Sequence, residues 1–216
     1  MIGTVARRRE EKTAAIVAAA WQLAHEHGVG GLSLHALARE VGMRQPSLYV
    51  YFDSKLALYD AMFADGNLRL LEHLDALDLP DPPRAAVKMF LGAFVDFSVA
   101  DSTRAELLFH RPIPGFEPSP ESYAIAEAVL SRAVELLDAA GVTAPGDVDC
   151  VVAMVGGIVE AQLSNDPGGD RWTRHLDRLI DLYLDDANTK ARRRSGGAVP
   201  GGREGEADST TRRSRR

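Results

Sequence analysis

The sequence predicts an all-α fold of about nine helices. Three observations carry that expectation. Apolar residues recur at three- and four-residue spacings along most of the chain. No stretch alternates apolar and polar residues as a half-buried strand would. Clusters of glycine and proline divide the periodic stretches at helix-length intervals. With 216 residues and 45% hydrophobic content, the chain can bury a sizeable core, as one medium domain or as a small domain on a larger one.

The elements follow in order. Ile16, Ala19, Ala20, Leu23 and Ala24 stripe a first helix from about Arg8 to His27, and Gly28, Gly30 and Gly31 end it. Ser33 is a good N-cap for a short helix through Glu40. Gly42 breaks the chain there. A second short helix runs from Arg44 or Gln45 to about Tyr51, with Pro46 in its first turn, where a missing N–H costs little. Asp53 or Ser54 caps a longer helix from Lys55 to about Leu77. "DLPDPP" stops it, and two helices follow over about 84–99 and 102–110. "RPIPGFEPSP" (111–120) carries four prolines in ten residues and reads as a loop. Residues 121–140 are amphipathic, with Ile125, Val129, Ala133, Leu136 and Leu137 on one stripe. "GVTAPGD" and "SNDPGGD" then bound an apolar helix over about 148–163. A last helix over 171–186 closes the fold. From about Asn188, glycine, serine and arginine with few apolar residues predict disorder.

Charge divides the chain in the same way. Residues 1–60 carry about +1, residues 61–186 carry −13 and residues 187–216 carry +6. The expected domains are therefore a small unit over 8–54, a helical body over 55–186 and a basic tail over 187–216. The tail fits either a polyanion anchor or a solubilising extension.

Several function classes are disfavoured. The start "MIGTVARRREEKTAA" is charged where the apolar region of a secretory signal would lie, and no run reaches 18 apolar residues. The expectation is a cytoplasmic protein with no membrane partner. Cys150 is the only cysteine, so no intramolecular disulfide forms, and it is expected to pack as a small apolar residue. There is no Gly-rich phosphate loop, nucleophile elbow or HExxH motif. His25 and His27 lie two apart on a helix and point to different faces, so they predict no metal site. No enzyme activity, catalytic residue, metal or cofactor is expected.

The segment from Ser33 to Tyr51 carries the strongest functional signal. Two short helices meet across a tight link, with Ala38 at their closest approach and Gly42 free to take a left-handed turn. Leu34, Leu37 and Val41 face inward on the first helix, and Leu48 and Phe52 on the second. This is helix-turn-helix spacing. The outward set is Arg44, Gln45, Ser47, Tyr49 and Tyr51. Arginine and glutamine can pair with base edges in a major groove, and serine and tyrosine hydroxyls can donate to phosphates. Lys55, in the first turn of the next helix, opposes the helix dipole and points to an external phosphate. The competing reading makes Tyr49 and Tyr51 packing residues of a small three-helix unit.

Residues 13–62 resemble the DNA-binding domain of the TetR family of bacterial transcriptional regulators. The resemblance lies in "AAIVAAAWQLAHEHG", "LSLHALAREVGM" and "SLYVYFDSK". It implies base contacts from Arg44 and Gln45, aided by Pro46. It implies phosphate or backbone contacts from Ser33, Ser47, Tyr49, Tyr51 and Lys55, with His35 as a further candidate. Many members carry histidine where this chain has Tyr51, so that position reads either a phosphate or a base. Arg7, Arg8 and Arg9 form either an arm on DNA or a solvated terminus. The family habit is a homodimeric repressor on a palindromic operator, released by a small molecule.

For the body the resemblance is only architectural. An effector pocket is expected among the helices from Lys55 to Ala140, with Phe90, Phe94, Phe97, Phe109 and Phe116 as candidate liners. The last two helices are dimer candidates, through Gly156, Gly157, Glu160, Leu176, Leu179, Ile180 and Tyr183. Two mid-helix glycines each cost up to about 1 kcal/mol against alanine, a cost that close approach of another helix would justify. Packing within one chain is the alternative. The rival to a ligand-released repressor is a constitutive DNA-binding or architectural protein with no effector. A cavity in the body separates the two.

Overall fold

The structure is a computed structural model. It describes residues 2–144 and 146–196, with the side chains of 5–144 and 146–190. Among the described residues there are nine α-helices and no strand. They are α1 (Ile2–His27), α2 (Leu34–Glu40), α3 (Gln45–Leu48), α4 (Lys55–Asp75), α5 (Pro83–Ala100), α6 (Ser102–Phe109), α7 (Pro120–Ala139), α8 (Asp147–Asn165) and α9 (Leu176–Gly196). A single 3-10 turn, Thr173–His175, leads into α9.

Several helix ends are fixed by the residues expected to fix them. Ser33 Oγ accepts from the Ala36 amide, and Ser54 Oγ from the Ala57 amide. Ser54, and not Asp53, is thus the cap of α4. Gly42 takes φ +67°, the Gly42 amide donates to the Arg39 carbonyl, and the Met43 amide donates to the Ala38 carbonyl at 2.7 Å. These are the two bonds of a Schellman ending, and they need the left-handed residue that glycine supplies without steric cost. Asp101 and Ser119 cap α6 and α7 in the same way as the serines.

Two apolar clusters result. The first joins α1 to α4 through Ile16, Trp21, Leu37, Leu48, Phe52, Leu58 and Tyr59. The second holds the far half of α4 against α5, α7, α8 and α9 through Leu70, Val87, Phe90, Val129, Val155 and Ile180. Each fully buried large aliphatic side chain contributes about 1.5–3 kcal/mol relative to exposure. α4 belongs to both clusters and packs extensively against α7.

Four boundaries differ from the sequence expectation. α1 begins at Ile2, so Arg7, Arg8 and Arg9 lie within a helix and not on an arm. An Arg7–Glu11 ion pair supports this turn, and the Arg9 guanidinium is held by the Val50 carbonyl. α3 proper ends at Leu48; Tyr49 to Tyr51 follow as tight turns closed by bonds such as Tyr51 amide to Leu48 carbonyl at 2.9 Å. The single last helix expected over 171–186 is a 3-10 turn followed by α9. α9 also runs ten residues past Asp186, where disorder was expected. Ala187 is buried in the second cluster, and Asn188 sits against Gly141, where an added Cβ would meet its Oδ1 at 2.8 Å. An Asp186–Lys190 pair supports the following turn. The remainder of the predicted tail, 197–216, lies outside the described residues.

Candidate functional site

The helix-turn-helix segment presents a mixed polar surface on a closed apolar base. Leu37, Ala38, Leu48 and Phe52 are buried beneath it. Arg44 stands at the N-cap of α3 with its side chain exposed and uncommitted to capping. Gln45 and Ser47 are half-buried, and Pro46 is exposed in the first turn. Ser33 and His35 are exposed at the start of α2.

The two tyrosines part company. Tyr49 is 47% exposed, whereas Tyr51 is half-buried and packs against the first cluster. Adjacent odd positions just past a helix end turn to different sides, so one displays and one anchors. Lys55 Nζ lies 5.4 Å from the centre of the Tyr59 ring. Part of the stabilisation that this lysine needs at a helix N-terminus is therefore internal.

Braces from elsewhere hold this surface. Arg9 Nη2 donates to the Val50 carbonyl at 3.0 Å, just after α3. Lys12 Nζ donates to the Val41 carbonyl at 3.4 Å, at the end of α2. α1 thus grips both short helices. Tyr59 Oη donates to the Val29 carbonyl at 2.7 Å, fixing the loop before α2, and burial raises its phenol above the ordinary range so that it stays a donor. Arg9 was expected on an arm or a solvated terminus, and Lys12 and Tyr59 carried no functional expectation. Arg9 and Lys12 share a face three residues apart, but their acceptors are carbonyls, which leave no trace in composition.

The body contains a cavity of about 450 Å³ walled by α4, α5, α6, α7 and α8. Of the five candidate phenylalanines, Phe90, Phe94 and Phe109 line it. Phe97 and Phe116 do not. Phe97 lies against His73, at 5.7 Å between ring centres, and Phe116 packs on Tyr59 and Phe63 near the first cluster. α8 supplies a wall that the sequence reading left out, through Val151, Val155 and Val159. Asn67, His110 and Tyr123 are its polar members.

α4 runs from the helix-turn-helix to this cavity. Lys55 begins it, and Asn67 and Leu70 line the cavity. Between them, Asp60 accepts from the Ser119 amide at 2.7 Å and from the hydroxyls of Ser119 and Ser122, tying α4 to the start of α7. Asp65 accepts from Trp21 Nε1 of α1 at 2.9 Å. Gly66 lets Leu108 of α6 approach closely, since an added Cβ would meet its Cδ2 at 2.9 Å. His25, at the end of α1, hydrogen-bonds Asp101, the cap of α6, at 2.9 Å. Of the two histidines at the end of α1, His25 thus forms a cross-link to α6.

The dimer candidates divide by burial. Gly156, Gly157 and Glu160 are exposed on α8, and an added Cβ at either glycine would meet nothing within 4 Å. Leu176 and Ile180 are buried inside this chain at 5% and 2% exposure, so they belong to its own core and not to a surface. Leu179 is half-buried. Tyr183 is half-buried and donates to Asp147 Oδ1 at 2.7 Å. Cys150 is exposed on α8 and not packed as expected.

Comparison with known proteins agrees with this geometry. The family model described as "Bacterial regulatory proteins, tetR family" matches residues 16–62. An HTH-type transcriptional regulator of Mycobacterium tuberculosis is 31% identical over 144 residues, which is 65% of this chain and 61% of that protein. This chain therefore matches less than two thirds of that relative's length. The class A tetracycline repressor of Escherichia coli, from transposon 1721, is 45% identical over 47 residues, 22% of each chain. A solved structure of a protein of unknown function from Rhodococcus sp. RHA1 aligns with a TM-score of 0.66 at 25% identity, over 81% of this chain and 94% of that one. Residues 16–62, the N-terminal helix-turn-helix, match the tetR family of bacterial regulatory proteins.

Proposed function

We propose that this protein is a sequence-specific DNA-binding transcriptional regulator, a homodimeric repressor that leaves its operator when a small molecule fills the body cavity. The observation that carries the reading is the polar face of α2 and α3, presented on a buried apolar base and matched to the family over residues 16–62. Residues 8–54 read DNA, and residues 55–186 sense and dimerise. Arg44 and Gln45 read bases, aided by Pro46. Ser33, His35, Ser47, Tyr49 and Lys55 hold the backbone, and Tyr51 reaches it with its hydroxyl while its ring stays anchored. The repressor sign is supported by the tetracycline repressor, which is similar over this region.

The cavity supports a ligand-released regulator over a constitutive binder. α4 offers the route from it, because one helix carries both Lys55 and Asn67. Dimerisation through α8 is supported by the exposed glycines, which serve no close contact inside one chain. Val152 and Gly156 lie at once on that face and at the cavity, so a docked partner would roof the ligand.

Binding is tested by gel shift on intergenic DNA flanking the gene, with footprinting of any complex. A selective complex on a palindromic site, weakening steeply as salt rises, is expected. Equal binding to every duplex would remove the reading. Light scattering at micromolar concentration should give twice the 23.4 kDa chain mass.

A further inference from the structure

We infer that the cavity takes an uncharged, mainly hydrocarbon molecule bearing one hydrogen-bond donor, a hydroxyl or an amide N–H, and that Asn67 Oδ1 is its acceptor. The inference rests on reading the cavity as an effector site and names the chemistry of that effector.

Three observations carry it. First, the walls are apolar: Phe90, Phe94, Val129, Val155 and Val159 face the space, and among the described residues no aspartate, glutamate, lysine or arginine lines it. An ionised ligand would lie there without a counter-charge, at a high desolvation cost. Second, Asn67 is 2% exposed and lines the cavity from α4. Its Nδ2 donates to the Phe63 carbonyl, one turn back, at 2.9 Å. That bond sets the amide's orientation, because the reverse would put oxygen against oxygen. Among the described residues, no protein group donates to Oδ1. This amide oxygen is left free to accept, and the cavity is the side from which a donor can come. Third, the other polar members sit at the rim. Tyr123 is 52% exposed, and His110 is exposed and faces Glu160 at 3.6 Å. The ligand's single polar group is thus set against the α4 wall and its hydrocarbon against the remaining walls. The volume is that of a drug-sized ligand site.

The direction of the polar contact matters for regulation. Asn67 is one turn past Phe63 and next to Gly66, on which Leu108 rests. A ligand hydrogen-bonded there bears on the same helix that begins at the DNA-facing Lys55.

The test uses the full-length chain without DNA and three probes of matched length in titration calorimetry. These are 1-dodecanol, its methyl ether, which accepts but cannot donate, and dodecanoate at pH 8. The alcohol should bind about tenfold or more tighter than the ether, as one good hydrogen bond allows. Dodecanoate should be the weakest. Asn67→Leu should bring alcohol and ether within about twofold while the ether still binds, which shows that the cavity persists. Asn67→Ala should do the same if the leucine does not fold. Ala133→Phe, which narrows the space, should weaken all three. Equal binding of alcohol and ether to the native chain, a preference that survives at Asn67→Leu, tightest binding by dodecanoate, or no binding by any probe would each overturn the assignment. Operator release is measured separately. Alcohol binding in the expected pattern without release would defeat the effector reading and leave the assignment of the cavity standing.

Discussion

The front of the molecule and its body are built from the same kind of helix and close to different degrees. In the front, α1 to α4 shut on one another: Ile16, Ala20, Leu37, Leu58 and Met62 are fully buried, and α2 and α4 begin on serine caps. In the body, five helices leave a cavity of about 450 Å³, and apolar side chains such as Leu130 and Val152 reach the surface at its edge. Under the proposed function, the difference separates two tasks. A surface that must match a fixed partner is held by caps, braces and a filled core. A wall that must accommodate a guest gives up packing to keep space.

That contrast can be broken most strongly in the front. Leu37→Ala should cost about 2–5 kcal/mol, since a filled site cannot collapse around the missing atoms. Leu130→Ala, at a rim position already 44% exposed, should cost far less. Urea denaturation of both variants checks the pair, and equal losses would erase the distinction. Glycine gives a second pair with opposite signs. Gly42→Ala should destabilise by about 1–2 kcal/mol, because its φ of +67° is left-handed while the space around it is open. Gly157→Ala should raise the stability of the single chain by up to about 1 kcal/mol, as a helical position with room for a methyl. If a partner helix packs there, the same change should weaken the dimer in light scattering. A smaller effect lies on α9. Asp181 accepts from Lys88 and Arg84, and the Lys88 bond first of all holds its carboxyl below the ordinary value of 3.8. A depressed carboxylate stabilises above its unfolded value and loses that contribution as pH falls through the folded one. Stability should therefore decline below about pH 3.8, and Lys88→Met should flatten that decline in acid titrations of the urea midpoint.

The front was legible because its signals are local. Gly42, Ser33, Pro46 and the apolar spacing of Leu37, Leu48 and Phe52 each act within a few residues, and each is found where the spacing put it. The short length of α3 was not legible, since Tyr49 and Tyr51 continue the pattern of polar display while the backbone already turns. The body was legible as helices and only partly as a site. Periodicity identifies an inward face and does not say whether that face meets a neighbour or a void. Phe90 and Phe97 look alike in sequence, yet one lines the cavity and the other meets His73. Leu176 and Ile180 likewise face inward by periodicity, and burial in their own chain is what removes them from the surface candidates. Asn67 was overlooked because one amide in an apolar stripe reads as noise until its neighbours in space are known.

The central claim is that the face of α2 and α3 reads DNA sequence. It is tested most directly by the ratio of affinities for the footprinted operator and a random duplex, measured for the native chain, Arg44→Ala and Lys55→Ala at one salt concentration. Arg44→Ala should reduce that ratio by about 1–3 kcal/mol, and Lys55→Ala should weaken both duplexes alike and leave it unchanged. An unchanged ratio in Arg44→Ala, with equal losses on operator and random DNA, would contradict the account.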